Sequence, residues 1–175
     1  VKGMAGMWPA PAMAATRYVL AAIGLSGILI AREGWGALRM PKPGIQWLRG
    51  IGVSLGSVGM FAAVWLMPLS DAITISFTQP MITALLAAVI LREPARRATL
   101  VATLVAFAGV VIVLRPNFAA AGWGAFLPLL SALGMSTLMI ANRAVAGHAS
   151  VLAMQAYIAI TASIFLLAVT IIGHL

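Results

Sequence analysis

The stretch "MPLSDAITISFTQPMITALLAAVILREP", Met67–Pro94, holds twenty consecutive uncharged residues, Ala72 to Leu91, with Pro80 near their middle. At about 1.5 Å per helical residue, a run of that length crosses a hydrocarbon core of roughly 30 Å. It reads as a membrane span, and the proline inside it asks for an explanation.

Composition extends that reading to the whole chain. Of 175 residues, 63% are hydrophobic and 8% charged, and the mean hydropathy is +1.09. A soluble surface of this size needs about a quarter of its residues charged, so the expected class is an all-α, polytopic transmembrane helical bundle. Six spans are predicted: Pro11 to Ala31, Ile51 to Met67, Ala72 to Leu91, Thr99 to Leu114, Ala119 to Ala141 and Val151 to Ile172. The fourth is short. None shows the two-residue alternation of a barrel strand, and each is about twice a barrel strand's length.

The charges lie between these runs and orient them. Arg32, Arg39, Lys42, Arg49, Arg92, Arg96, Arg97 and Arg143 fall in one set of connections, whereas only Lys2 and Arg115 fall in the opposite set. The positive-inside rule then makes the loops 32–49, 92–97 and 142–150 cytoplasmic. Arg17 lies inside the first span near its non-cytoplasmic end, where its long stem can snorkel to the interface. A formal charge of +8 does not imply nucleic acid, because these cations punctuate apolar runs instead of sharing one face. The sequence shows no signal peptide. Its opening "VKGMAG" and closing "AVTIIGHL" read as cuts within a longer protein, so a fragment is expected at both ends.

Pro80 lacks an N–H and crowds the carbonyl of Ser76, which predicts a kinked or opened helix. At 100° per residue Ser76, Gln79 and Thr83 fall on the side that Pro80 occupies. Two readings stand for this stripe: it lines a substrate pathway, or its hydroxyls bond their own helix or a neighbour. Gln79 favours the pathway, since a full amide at depth wants several partners. On the preceding span Gly52, Gly56, Gly59 and Ala63 form a small-residue face suited to close helix packing. Ser54, Ser57, Phe61 and Trp65 share the other side, which could face either lipid or a lumen; two hydroxyls with two aromatics favour the lumen and make these a further set of pathway candidates, while Trp65 alone also suits an interfacial anchor.

Chemistry of other kinds finds no support. Zero Cys removes disulfides, thiolate metal sites and thiol nucleophiles. Glu33, Asp71 and Glu93 are expected in or beside loops on different segments and are not expected to converge. His148 and His174 have no partner at metal-ligand spacing. Glu93 is expected to pair with the adjacent arginines, and Asn142 and Asn117 read as helix-end or turn residues. No catalytic residue, cofactor or metal is expected.

From Leu48 to Pro116 the sequence resembles the EamA domain of the drug/metabolite transporter superfamily. The resemblance rests on Arg49-Gly50 before a Gly-rich helix, on Pro68-Leu69-Ser70-Asp71-Ala72, and on Phe77 with Pro80 in the next helix. Glu93, Gly109-Val110 and Leu114-Arg115-Pro116 complete it, and "AATRYVLAA" around Arg17 and Tyr18 is similar to the family's second helix. It implies a ten-helix carrier of two inverted five-helix (5+5) repeats, of which residues 1–116 would hold helices two to five and 117–175 helices six and seven. Pro128 would be a further possible break. The resemblance also implies alternating access by a metabolite carrier, leaning toward exporters of amino acids or related metabolites. Expected partners are the lipid bilayer and a small-molecule substrate, with no nucleic acid; the oligomeric state is left open. The rival expectation is a non-transporting assembly or regulatory membrane protein that associates through its small-residue faces.

Overall fold

The computed structural model describes residues 10–92, 97–114 and 122–172. Among them the regular structure is helical: α1 (Ala10–Glu33), α2 (Pro43–Leu66), α3 (Leu69–Ser76), α4 (Gln79–Ile90), α5 (Arg97–Leu114), α6 (Phe126–Val145) and α7 (Val151–Ile172), with short 3-10 turns at Trp35–Leu38 and Gly122–Ala125. Lys2, Glu93, Arg96, Arg115, Pro116, Asn117, His174 and the expected span start at Ala119 lie outside the described residues.

Five helical stretches are long and apolar enough to cross a membrane: Ala12–Glu33, Pro43–Leu66, Leu69–Ile90, Gly122–Val145 and Val151–Ile171. α5 is the short one, as its sequence suggested, with Leu100–Gly109 as its apolar part. The outer faces suit hydrocarbon. Leu20 and Ile23 on α1, Leu85 and Val89 on α4, and Val101, Val105 and Ile112 on α5 are all exposed. This is a multi-pass helical membrane protein.

Local chemistry sets the helix ends. Gly34, at φ 81°, closes α1 with its N–H on the Ile30 carbonyl, a conformation that glycine adopts without a Cβ penalty. Pro43 opens α2, its fixed φ being suited to the first helical position. The hydroxyl of Ser150 caps α7 by accepting the Ala153 N–H at 3.1 Å, the usual role of an N-cap serine.

Three expectations need correcting. α2 starts eight residues before the expected span, so Gln46 and Arg49 belong to its first turns and not to a loop. Hydropathy marks where a chain enters hydrocarbon, whereas the proline and its followers mark where the helix begins. Asp71 is likewise a helical residue, buried in the first turn of α3, where the positive end of the helix dipole favours a carboxylate. Finally, Pro128 breaks nothing. It is the third residue of a continuous α6, where an amide proton would have had no intrahelical partner.

The chain divides into two compact units, Val1–Ser54 with Ala141–Leu175, and Leu55–Ile140. In the first, α1 packs along α7 and Leu29 meets Ala153, Ala156 and Tyr157 in the core. The Tyr157 Oη lies 2.5 and 3.0 Å from the carbonyl oxygens of Ala37 and Arg39, which share its one proton, anchoring the loop after α1. In the second, Ala63, Met67, Ala72 and Ile75 form the core, and α5 packs on α3 and α4.

Candidate functional site

Within the second unit, the span from Leu69 to Ile90 is interrupted. α3 ends at Ser76, Phe77 and Thr78 form a turn, and α4 resumes at Gln79 with Pro80 in its first turn. The N–H groups of Phe77 and Thr78 bond back to the carbonyls of Ile73, Thr74 and Ile75. The Thr78 hydroxyl also donates to the Ile75 carbonyl at 2.7 Å. The break therefore satisfies much of its own backbone, as irregular backbone at membrane depth must.

The polar stripe is partly committed to packing. Ser76 Oγ donates to the Ala72 carbonyl at 2.9 Å and lies 3.7 Å from Met60 Sδ. Thr83 Oγ1 lies 2.9 Å from both the Gln79 carbonyl and Ser136 Oγ, and Ser136 Oγ is 3.0 Å from that same carbonyl. Two hydroxyl protons can close this triangle: Thr83 donates to Ser136, and Ser136 donates to Gln79 O. The side-chain amide of Gln79 is different. It is half-buried, and no hydrogen bond to it exists among the described residues. Pro80 beside it is exposed.

Along α2 the candidates are unequal. Ser54 is enclosed, and its hydroxyl donates to the Gly50 carbonyl of the same helix at 2.7 Å. Ser57, Phe61 and Trp65 are half-buried, and Trp65 Nε1 is an enclosed donor without a partner among the described residues. Gly52, Gly56, Gly59 and Ala63 are buried. A Cβ on Gly56 would stand 2.7 Å from Met135 Sδ, and one on Gly59 2.7 Å from the Leu127 carbonyl oxygen. α6 thus lies against this face, and Ser131 Oγ donates to the Gly56 carbonyl at 2.7 Å. Ser131 and Ser136 were missed in the sequence; their five-residue spacing carried no signal without knowledge of the helix they face.

A second polar cluster, in the first unit, was missed altogether. Arg49 is 3% exposed and Gln46 0%. Arg49 Nε donates to Asn142 Oδ1 at 2.7 Å; Nη1 donates to Gln46 Oε1 and lies 3.6 Å from Met154 Sδ. Gln46 Nε2 in turn donates to the Pro41 carbonyl at 3.2 Å. Asn142 is thus an acceptor for a guanidinium and not merely a helix-end residue. The available signal was the i, i+3, i+4 face of Gln46, Arg49 and Gly50. Nearby, a cavity of about 370 Å³ is lined by Glu33, Arg39, Pro41, His148, Ser150 and Tyr157 among others. Arg17 is exposed, with its guanidinium carbon 5.4 Å from the Tyr18 ring centroid.

Five membrane-length apolar helices, one of them broken at Phe77–Thr78, define the class as a polytopic helical membrane protein. The chain belongs to the EamA-like transporter family, whose description matches residues 1–115. It is 30% identical over 127 residues to an S-adenosylmethionine uptake transporter of Rickettsia prowazekii, covering 73% of this chain and 43% of that protein. It is 34% identical over 112 residues to a riboflavin transporter of Rhizobium johnstonii, covering 63% of this chain and 37% of that protein. The chain therefore spans less than half the length of either relative. A solved crystal structure shares the fold, with a TM-score of 0.68 at 23% identity, covering 95% of this chain and 59% of that one.

Proposed function

We propose that this chain is part of a carrier that moves a small metabolite across a cell (inner) membrane by alternating access, with the broken span as part of the solute pathway. The finer reading is export of amino acids or related metabolites. The observation that carries the pathway is the helix break at Phe77–Thr78 with the half-buried Gln79 amide beside it, unpartnered among the described residues. In such a carrier Ser76, Gln79, Pro80 and Thr83 contribute one wall. Ser57, Phe61 and Trp65 contribute from α2, and Trp65 Nε1 offers a ready donor to a polar solute.

Residues 1–116 are read as most of a first five-helix repeat and 117–175 as the start of a second, inverted one. The loops rich in Arg and Lys face the cytoplasm. No reaction is assigned, since the family and the relatives are named for transport.

The rival reading, a protein that assembles with partners through small-residue faces, loses its main support. Gly56 and Gly59 are already occupied by α6 of the same chain.

The test is solute flux in proteoliposomes containing the full-length protein, with Gln79→Leu as the probe. Removing an unpartnered amide should leave insertion and thermal stability intact while flux falls severalfold. Unchanged flux in a correctly inserted Gln79→Leu protein would remove Gln79 from the pathway. Loading inside-out and right-side-out vesicles separately reads the direction, for which one relative is named for uptake.

A further inference from the structure

Arg49 presents a problem in charge balance. A guanidinium stays protonated at any accessible pH, and burying an ion without a counter-charge costs several kcal/mol even after the surroundings relax. Arg49 is almost wholly buried, yet the atoms around it are an Asn oxygen, a Gln oxygen and a thioether sulfur. The chain has three carboxylates in all. Glu93 lies outside the described residues, Asp71 accepts from Ser70 Oγ at 3.2 Å, and Glu33 lines the cavity beside Tyr157. Among the described residues no carboxylate pairs with Arg49.

The remaining geometry is that of a prepared site. Asn142 and Gln46 fix Nε and Nη1, and the Pro41 carbonyl fixes Gln46, so the planar fork is held in one orientation. Nη2 makes no hydrogen bond among the described residues, and it is not among their fully enclosed, unpartnered atoms. Its two N–H donors are thus uncommitted. The nearby charge has the same sign: Lys42 Nζ reaches the Ala144 carbonyl at 3.4 Å, two residues from Asn142.

We propose that Arg49, held by Gln46 and Asn142 between α2, α6 and α7, binds an oxyanion, a carboxylate or a phosphate, through its free Nη2 edge. Nη2 carries two N–H donors for such a group, and the guanidinium charge, held in place by the Nε and Nη1 contacts, adds to its attraction. Combined with the transport reading, on which this step rests, the oxyanion belongs to the carried solute. The substrate class is then an acidic or zwitterionic metabolite.

The test uses the purified full-length protein in uncharged detergent. Acetate, glutarate or inorganic phosphate is titrated at constant ionic strength while thermal unfolding is followed. The wild-type midpoint should rise by roughly a few degrees as the site fills. Asn142→Asp is the decisive variant, because it is isosteric and supplies a resident anion at the same 2.7 Å contact. It should be at least as stable as wild type without added anion and should bind the probes roughly a hundredfold more weakly. Arg49→Lys keeps the charge but not the Nε and Nη1 contacts that orient the donors, and should lose roughly tenfold.

A second arm places the protein in nanodiscs of phosphatidylcholine, with or without phosphatidylglycerol. Stabilisation by phosphatidylglycerol alone, with none from soluble anions, would assign the site to a lipid headgroup and overturn the solute assignment. A wild-type midpoint unmoved by any anion, or one that moves equally in Asn142→Asp, overturns the site itself. Flux keeps the two readings apart. Proteoliposomes that carry only neutral solutes, with wild-type rates in Asn142→Asp, sink this inference and leave the carrier standing. An anion response without flux of any solute sinks the carrier, and with it the assignment to a solute.

Discussion

The two halves of α2 meet their neighbours by different chemistry. Its first turns present a guanidinium and an amide to α6 and α7, and both find partners roughly a hundred residues away in sequence, with Arg49 and Asn142 separated by 93 positions. Its second half presents glycines to α6, and the polar bond there is a serine hydroxyl on a backbone carbonyl. A hydroxyl has one proton and can satisfy it within its own helix, as Ser54 and Ser76 do. A guanidinium carries five N–H donors and a charge, so the local acceptor Gln46 does not suffice and distant side chains are recruited as well. Hydroxyls on a membrane helix are therefore weak markers of function, whereas a buried cation is a strong one.

The contrast predicts a graded series of stability losses in detergent-solubilised full-length protein. The largest should come from Asn142→Leu, which strands the buried Nε of Arg49; a loss of roughly 2–4 kcal/mol is expected in equilibrium unfolding. A change under about 0.5 kcal/mol would show that the guanidinium is more hydrated than its burial implies. Next comes Gly59→Ala, whose new methyl would press on the backbone at Leu127 and Ser131. It should cost about 1–3 kcal/mol. The matched control, Gly27→Ala, meets nothing within 4 Å and should be neutral or stabilising by up to about 1 kcal/mol. If both behave alike in thermal melts, the close approach of α6 is wrong.

Thr83→Val ranks third. Ser136 can still donate to the Gln79 carbonyl, so the loss should stay near 1 kcal/mol. The smallest effect belongs to Gln79→Leu, within about 0.5 kcal/mol of wild type, because the amide has no described partner to lose. A large destabilisation there would make Gln79 a packing residue and dissolve its contrast with Thr83.

Much of this was legible beforehand, and the failures share a cause. The apolar runs located every span to within a few residues at most ends, and Pro80 announced the break in the third. Pattern reading along one helix also singled out Gly56 and Gly59, against which α6 lies, and the residues Ser76 to Thr83 that flank the break. It failed where a residue's meaning depends on a partner far along the chain. Arg49 looked like punctuation because a charge at the edge of an apolar run normally lies in water, and only Asn142 and Met154 show otherwise. Ser136 looked unremarkable until it met Thr83 across 53 positions. Pro128 misled in the other direction, since proline is disruptive in a helix interior but harmless in its first turn.

The separation between Arg49 and Asn142 also has a consequence in time. Ribosomes add roughly 5–20 residues per second, so Arg49 is made several seconds before Asn142. During that interval the nascent α2 has a charged first half whose guanidinium finds only Gln46 of its own helix among the partners described above. Its opening turns must wait in interfacial water or among headgroups until α6 emerges. The seating of α2 is thus a late event in biogenesis, timed by the synthesis of a helix that has yet to be translated.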